Sequence, residues 1–297
     1  MISIIVCSVN KFLLEQLELN IKNNIGCDFE FLYIDNMIER KGICEIYNKL
    51  AKQAIGDYLC FVHEDVLIQT PNWGNILKKK AVDKTVGVIG FAGSGTIYAF
   101  PYWLDKYTHH RYYIQRTKTG ELCYDLTLES TENDFKEVAV LDGMFLFCRK
   151  EVWSKYPFDQ DQFKEFHIYD MDFSLAVAQE YHNYVCYSIK MTHFSQGSLD
   201  RTYFDGLVLF YKKWKEKLPF TVYPNIFGKK KKKRFFYNGI KGSIKDIVTR
   251  TDLSNRYIKY YLKELDMLNS PKDYFILLEY ILKSRWRKLK NNILKTK

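Results

Sequence analysis

The segment Tyr58-Leu59-Cys60-Phe61-Val62-His63-Glu64-Asp65 runs from an apolar strand straight into three polar side chains. A strand end is a rigid mount, and a carboxylate held there can ligate a divalent cation that neutralises a diphosphate leaving group. The same triplet also fits a solvated loop, because short acidic clusters are common. A second acidic pair lies in Tyr169-Asp170-Met171-Asp172-Phe173. On a helix, side chains two positions apart diverge by about 200°, so only one of the two can face a substrate as a general base. Asp in a first helical turn is also favoured by the helix dipole and can serve purely as a cap. A lone imidazole, His193 in Met191-Thr192-His193-Phe194-Ser195, follows an apolar run and reads either as a metal ligand or as a packed histidine.

These groups need a frame. Strand-like runs occupy 2–7, 29–35, 58–62 and 86–91. Between the first two, Leu14, Leu17 and Ile21 share a helical face behind Asn10 as N-cap. Between the next two, Ile43, Ile46, Tyr47, Leu50 and Ala54 do the same before Gly56 stops the helix. The alternation predicts a doubly wound α/β domain with a mixed, mainly parallel sheet flanked by helices. Ligands in such sheets sit beyond the carboxyl ends of the strands, so the residues just after each run are the ones to inspect.

From 93 to about 137 the pattern turns irregular and suggests loops with a short hairpin. Order returns around Asp142-Gly143, as two apolar strands or one bent strand. Helices are expected near 150–155 and 169–181, a strand at 184–189, and an amphipathic helix ending near Leu218-Pro219. We place a catalytic domain at 1–220, with halves at 1–92 and 93–220, and a basic helical tail at 221–297. The tail opens with Gly228 and the run Lys229 to Arg234. Its second helix is announced by Ser270 as N-cap and Pro271 at the first helical position.

Charge separates the two parts. Residues 221–297 hold 20 of the 45 basic residues and 6 of the 35 acidic ones, a net charge of +14, which leaves −4 for residues 1–220. A nucleic-acid enzyme would carry its positive field on the catalytic face, so nucleic acid is not an expected partner. No apolar run approaches the length of about 20 residues that a membrane-spanning helix needs. The first residues read as a buried strand rather than a signal peptide. The seven cysteines form no CxxC or CxH pair and read as reduced, which suits a cytoplasmic protein.

Taken together, Ser3-Ile4-Ile5-Val6-Cys7-Ser8-Val9-Asn10, Tyr33-Ile34-Asp35-Asn36, Tyr47-Asn48-Lys49 leading to Gly56-Asp57-Tyr58, and His63-Glu64-Asp65 resemble, in order and spacing, the donor half of glycosyltransferase family 2. The resemblance covers roughly residues 1 to 200 and implies the GT-A fold, a nucleotide-sugar donor (UDP-linked by preference), Mn2+ or Mg2+, and transfer to a hydroxyl. It places nucleotide contacts on Ser8, Asp35, Asn48 and His63, and metal ligands on Asp65 and His193. The catalytic base falls on Asp170, which makes the transfer inverting, and an acceptor contact falls on Asp142. The sequence departs from the family pattern twice, with His63 where Asp is usual and Tyr169 where Glu is usual. Both departures are steps toward a non-catalytic relative that binds glycan or lipid. A sugar nucleotidyltransferase would show a Gly- and basic-rich phosphate loop, which Cys7-Ser8-Val9-Asn10 lacks.

In the tail, the run Lys229 to Arg234 and the stretch Lys283 to Lys290, with Trp286, suit anionic lipid headgroups. They imply peripheral attachment to the inner face of the plasma membrane, where a glycan or lipid-linked acceptor for surface polysaccharide would be found. The same runs also fit a solvated, solubilising face.

Overall fold

Strand β1 (Ile2–Ser8) buries Ile2, Ile4, Ile5 and Val6, and so is covered on both faces like an inner parallel strand. It lies between β2 (Phe29–Asp35) and β3 (Tyr58–Val62), parallel to both, with Ser8 level with Asp35 at the carboxyl ends. Two crossovers connect them. Helix α1 (Lys11–Asn24) buries Leu14, Leu17 and Ile21, and Asn10 caps it by accepting from the amides of Phe12 and Leu13. The one-turn α2 (Asn36–Glu39) and then α3 (Ile43–Gln53) return the chain to β3. The structure is a computed structural model, described at residues 1–98, 108–127, 134–195, 200–226, 257 and 271–295.

Helix α4 (Trp73–Ala81) leads to β4 (Val86–Gly90). Beyond the irregular segment come β5 (Phe135–Val138), β6 (Phe145–Arg149), α5 (Lys150–Lys155), α6 (Tyr169–Val177), β7 (His182–Cys186) and α7 (Arg201–Trp214). The seven-stranded sheet has the order β5-β7-β4-β6-β3-β1-β2. Five strands run parallel; β6 is antiparallel to both its neighbours, and β5 to β7. Alternate residues feed two apolar clusters. Ile5, Leu59 and Phe61 pack with Tyr47, Phe158 and Phe173 on one face, and Ile4, Val6, Cys60 and Val62 pack with Trp73, Phe91 and Phe145 on the other.

A second sheet has four short strands, Leu122–Asp125, Ile114–Arg116, Met191–His193 and Val66–Ile68. Its first two form the hairpin expected in the irregular segment, turning through Gly120 at φ 90°. Its last two join distant parts of the chain, since Val66–Ile68 leaves β3 and pairs antiparallel with Met191–His193.

In the tail, α8 (Pro271–Lys295) starts at the proline predicted to open it. The lysine run at 229–234 lies outside the described residues. So does the other expected tail helix, apart from Tyr257, whose ring packs 5.4 Å from Phe204. No helix among the described residues is long and apolar enough to cross a membrane.

Candidate active site

The carboxyl end of β3 carries His63 and Asp65 on a short turn between β3 and the Val66–Ile68 strand. Backbone pairing fixes what surrounds them. Phe145 pairs with Val62 and the His63 amide donates to the Met144 carbonyl at 3.0 Å, which sets the Gly143 turn beside His63. On the other side, His193 stands opposite Val66, and the Phe194 amide donates to the Asp65 carbonyl at 2.9 Å. One ligand atom from each of His63, Asp65 and His193 therefore lies within 4.8 Å of the others.

Two of these atoms have no hydrogen-bond partner. Asp65 Oδ1 and His193 Nε2 are buried and 3.4 Å apart, but the pair is out of line for a hydrogen bond. An unmet buried polar atom costs about 1–3 kcal/mol. Two of them facing each other, with the His63 imidazole as a third group in reach, fit a divalent cation as the missing partner, and the N/O donor set suits Mn2+ or Mg2+. Burial works against ionisation of Asp65, yet His193 and His63 outweigh it and hold the carboxyl below its usual range. Burial also pushes the His63 imidazole down, keeping it neutral as a ligand must be.

Asp170 sits in the first turn of α6, just after Ile168 in the left-handed region at φ 71°. Its Oδ2 accepts from the Gly143 amide at 2.7 Å, and its Oδ1 from the Met171 amide. Asp142, whose Oδ1 accepts from the Met144 amide at 3.0 Å, is its charged neighbour. Burial first and Asp142 second push the Asp170 carboxyl up to about 7. Asp172 turns away, accepting from Lys213 Nζ at 2.9 Å and Trp214 Nε1 at 2.8 Å, and so ties α6 to α7.

Ser8 and Asp35 end adjacent strands. Asp35 is exposed and caps α2 by accepting from the Met37 amide. Ser8 donates to Glu64, whose Oε2 also accepts from the Val9 and Asn10 amides at 3.1 Å. Sequence reasoning gives Glu64 no role, because nothing in His63-Glu64-Asp65 marks which way the middle residue points.

Asn48 is set inside the fold. Expected at the nucleotide, it is 4% exposed, and its amide is fully engaged elsewhere. Nδ2 donates to Phe158 O and Gln160 Oε1, while Oδ1 accepts from Trp153 Nε1 and the Phe158 amide. All four hydrogen-bonding positions of the side chain are filled, so it anchors the segment after α5 and has nothing left for a ligand.

Tyr169, which the sequence marks only as a departure from the family pattern, has a place in the site. Its hydroxyl donates to the Gly143 carbonyl at 3.0 Å and lies 2.8 Å from His63 Nε2. Gly143 is glycine for that reason, since a Cβ there would stand 2.1 Å from the Tyr169 hydroxyl. Residues 196–199 lie outside the described residues.

Fold and site together define a mixed α/β protein with its polar groups gathered at the carboxyl ends of the strands. Residues 3–196 match a glycosyltransferase-like family, and as this is most of the chain, the chain belongs to that family. No curated protein sequence matches it. Among solved structures, GalNAc-T7 with UDP, GalNAc and Mn2+ aligns over 85% of this chain at 10% identity and a TM-score of 0.50. The match spans 58% of GalNAc-T7, so the likeness is one of fold. TarS from S. aureus, in complex with UDP, aligns at 12% identity and a TM-score of 0.48, over 100% of this chain and 92% of that one. The mannosyltransferase PcManGT from Pyrobaculum calidifontis, with GDP-Man and Mn2+, gives 12% and 0.46, over 97% and 86%.

Proposed function

We propose that this chain is a metal-dependent, inverting glycosyltransferase that moves a sugar from a nucleoside diphosphate donor, UDP-linked by preference, to a hydroxyl of a glycan or lipid-linked acceptor in surface polysaccharide synthesis. One observation carries the reading: the His63, Asp65, His193 cluster and Asp170 meet at Gly143, whose carbonyl binds Tyr169 beside His63 and whose amide binds Asp170. A displacement needs both parts, charge neutralisation at the leaving group and a proton acceptor at the nucleophile. Family membership supports the class of reaction.

Bound Mn2+ or Mg2+ would supply a Lewis acid for the diphosphate oxygens. Asp65 and His193 would hold it. We take His63 as the third ligand rather than as the ribose contact expected from the sequence, because its ring belongs to the same cluster. Ser8 and Asp35 contact the base, and Asp142 orients the acceptor by accepting from one of its hydroxyls. Asp170 takes the proton of the attacking hydroxyl as it approaches the anomeric carbon opposite the diphosphate, which inverts that centre. A carboxyl titrating near 7 is a stronger base than an ordinary one and is still substantially ionised at neutral pH. Incubation with UDP-, GDP- and dTDP-sugars, with and without Mn2+, should release nucleoside diphosphate from one donor only when the cation is present. A folded protein silent toward every donor would instead be a non-catalytic glycan-binding relative, and a product of retained anomeric configuration would remove the inverting step.

The reading extends to a cytoplasmic protein held peripherally at the inner face of the plasma membrane. Free cysteines throughout suit a reducing compartment. On α8, Phe275, Leu282, Trp286 and Leu289 are each at least 60% exposed. Their spacing places them within about 60° of one another around the helix, and Lys283 and Arg287 are exposed on the same helix. Such a stripe suits an anionic lipid surface. The protein should sediment with phosphatidylserine vesicles and be released by salt; equal recovery with neutral and anionic vesicles would refute the attachment.

A further inference from the structure

Tyr169 is 3% exposed, with its ring set among Tyr47, Phe158 and Phe166 at centroid distances of 5.8, 5.9 and 6.3 Å. Its hydroxyl has a single proton. The Gly143 carbonyl oxygen, 3.0 Å away, can only accept, so that proton points to it. With the proton so directed, the hydroxyl meets His63 Nε2, at 2.8 Å, as acceptor, which assigns hydrogen to Nε2. In a neutral imidazole this leaves the lone pair on Nδ1. The ring is also braced by Phe166 at 5.4 Å and His193 at 6.0 Å, so both its tautomer and its plane are set by neighbours.

We propose that Tyr169 is a positioning residue which, anchored on the Gly143 carbonyl, locks His63 in the Nε2–H tautomer and so presents Nδ1 as the third protein ligand of the divalent cation. The inference rests on the metal site of the proposed function and adds to it the group that orients one ligand. An outer partner of this kind fixes ring orientation and ligand basicity, and its loss typically costs about 10–100-fold in metal affinity. The two departures from the family pattern are then one device: the histidine brings a ligand with two possible tautomers, and the tyrosine selects between them.

Tyr169→Phe removes only the hydroxyl and keeps the ring packing. In metal-free protein, nitrogen-15 NMR of the imidazoles should report hydrogen on Nε2 of His63 in the wild type and a tautomer mixture in Y169F. Mn2+ affinity in the presence of UDP, read by electron paramagnetic resonance of the free ion, should fall about 10–100-fold in Y169F. It should fall further in His63→Gln, and adding Y169F to H63Q should change nothing more, because the tyrosine acts through the histidine. A purely structural tyrosine would weaken binding equally in both backgrounds, which overturns the proposal. So would wild-type Mn2+ affinity in Y169F, or hydrogen on Nδ1 of His63 in the wild type. A wild-type protein that binds no Mn2+ with UDP present removes the metal site itself, a different failure from an unaffected Y169F.

Discussion

Asp65 and Asp170 carry the same carboxyl group at the same end of one sheet, and their surroundings drive them in opposite directions. Asp65 ends a strand between two imidazoles and is held ionised below its usual range. Asp170 opens a helix in a buried turn beside another carboxylate and is pushed up to about 7. Groups forced apart in this way can take different roles at a single pH, one as a permanent anion and the other as a proton acceptor. The neighbours that divide them, His193 on one side and Asp142 on the other, arrive from remote parts of the chain.

The largest effect should come from the anion. Asp65→Ala is expected to abolish cation-dependent release of nucleoside diphosphate, a loss of about 10³-fold or more, given the several kcal/mol that a Lewis acid supplies. Normal turnover by that variant would end the comparison. Asp170→Asn should lower the rate by about 10²–10⁴-fold at unchanged Mn2+ affinity, the range for a missing general base.

The same two positions should part company in thermal melts. A raised folded-state pKa gives stability that is full below the unfolded value of the carboxyl and is lost as pH rises through about 7, so ionised Asp170 burdens the fold at pH 8. Asp170→Asn should therefore melt higher than wild type at pH 8 and lose that advantage toward pH 5. Asp65, with a lowered pKa, contributes stability above its unfolded value that is lost as pH falls, so Asp65→Asn should melt lower at pH 8. Melting shifts of the same sign in both variants would deny that the two environments differ.

Asp142→Asn is a finer probe. The wild-type kcat/KM should fall as pH drops below about 7, as Asp170 takes up a proton. Removing the neighbouring charge should move that limb to lower pH, and a limb that stays in place would leave burial alone as the cause. The smallest effect on catalysis belongs to Asn48→Ala. Four broken hydrogen bonds, three of them leaving buried partners unmet, should lower stability by at least about 3 kcal/mol in urea melts, while the donor KM stays within about twofold. A large rise in KM would instead support the nucleotide contact expected from the sequence.

Local pattern in the chain was enough to read the frame. The runs at 29–35 and 58–62 are strands with those bounds, and α1 and α3 bury the faces their spacing marked, because amphipathic period and caps are local signals. The antiparallel insertion of β6 was hidden, since an apolar run says nothing about which strands it will separate. The site divides the same way. Asp65 and Asp170 stand out as polar groups at element ends. That Tyr169 binds His63 depends on a Gly143 turn set by long-range pairing, so two substitutions that look like losses when taken singly are partners in space. For Asn48 the converse holds, as its place in a motif does not reveal that Trp153 and Phe158 bind its side chain.

The pairing of Met191–His193 with Val66–Ile68 also orders events in time. A nascent chain that has emerged only to residue 190 can already contain the sheet, Asp170 and two of the three cation donors, yet it lacks His193. Capture of the proposed cation would thus wait for nearly the whole domain to exist, and once made would draw the equilibrium toward the finished fold. The proposed ion would act as a seal applied at completion, and a fragment truncated before that strand should leave Mn2+ free in solution.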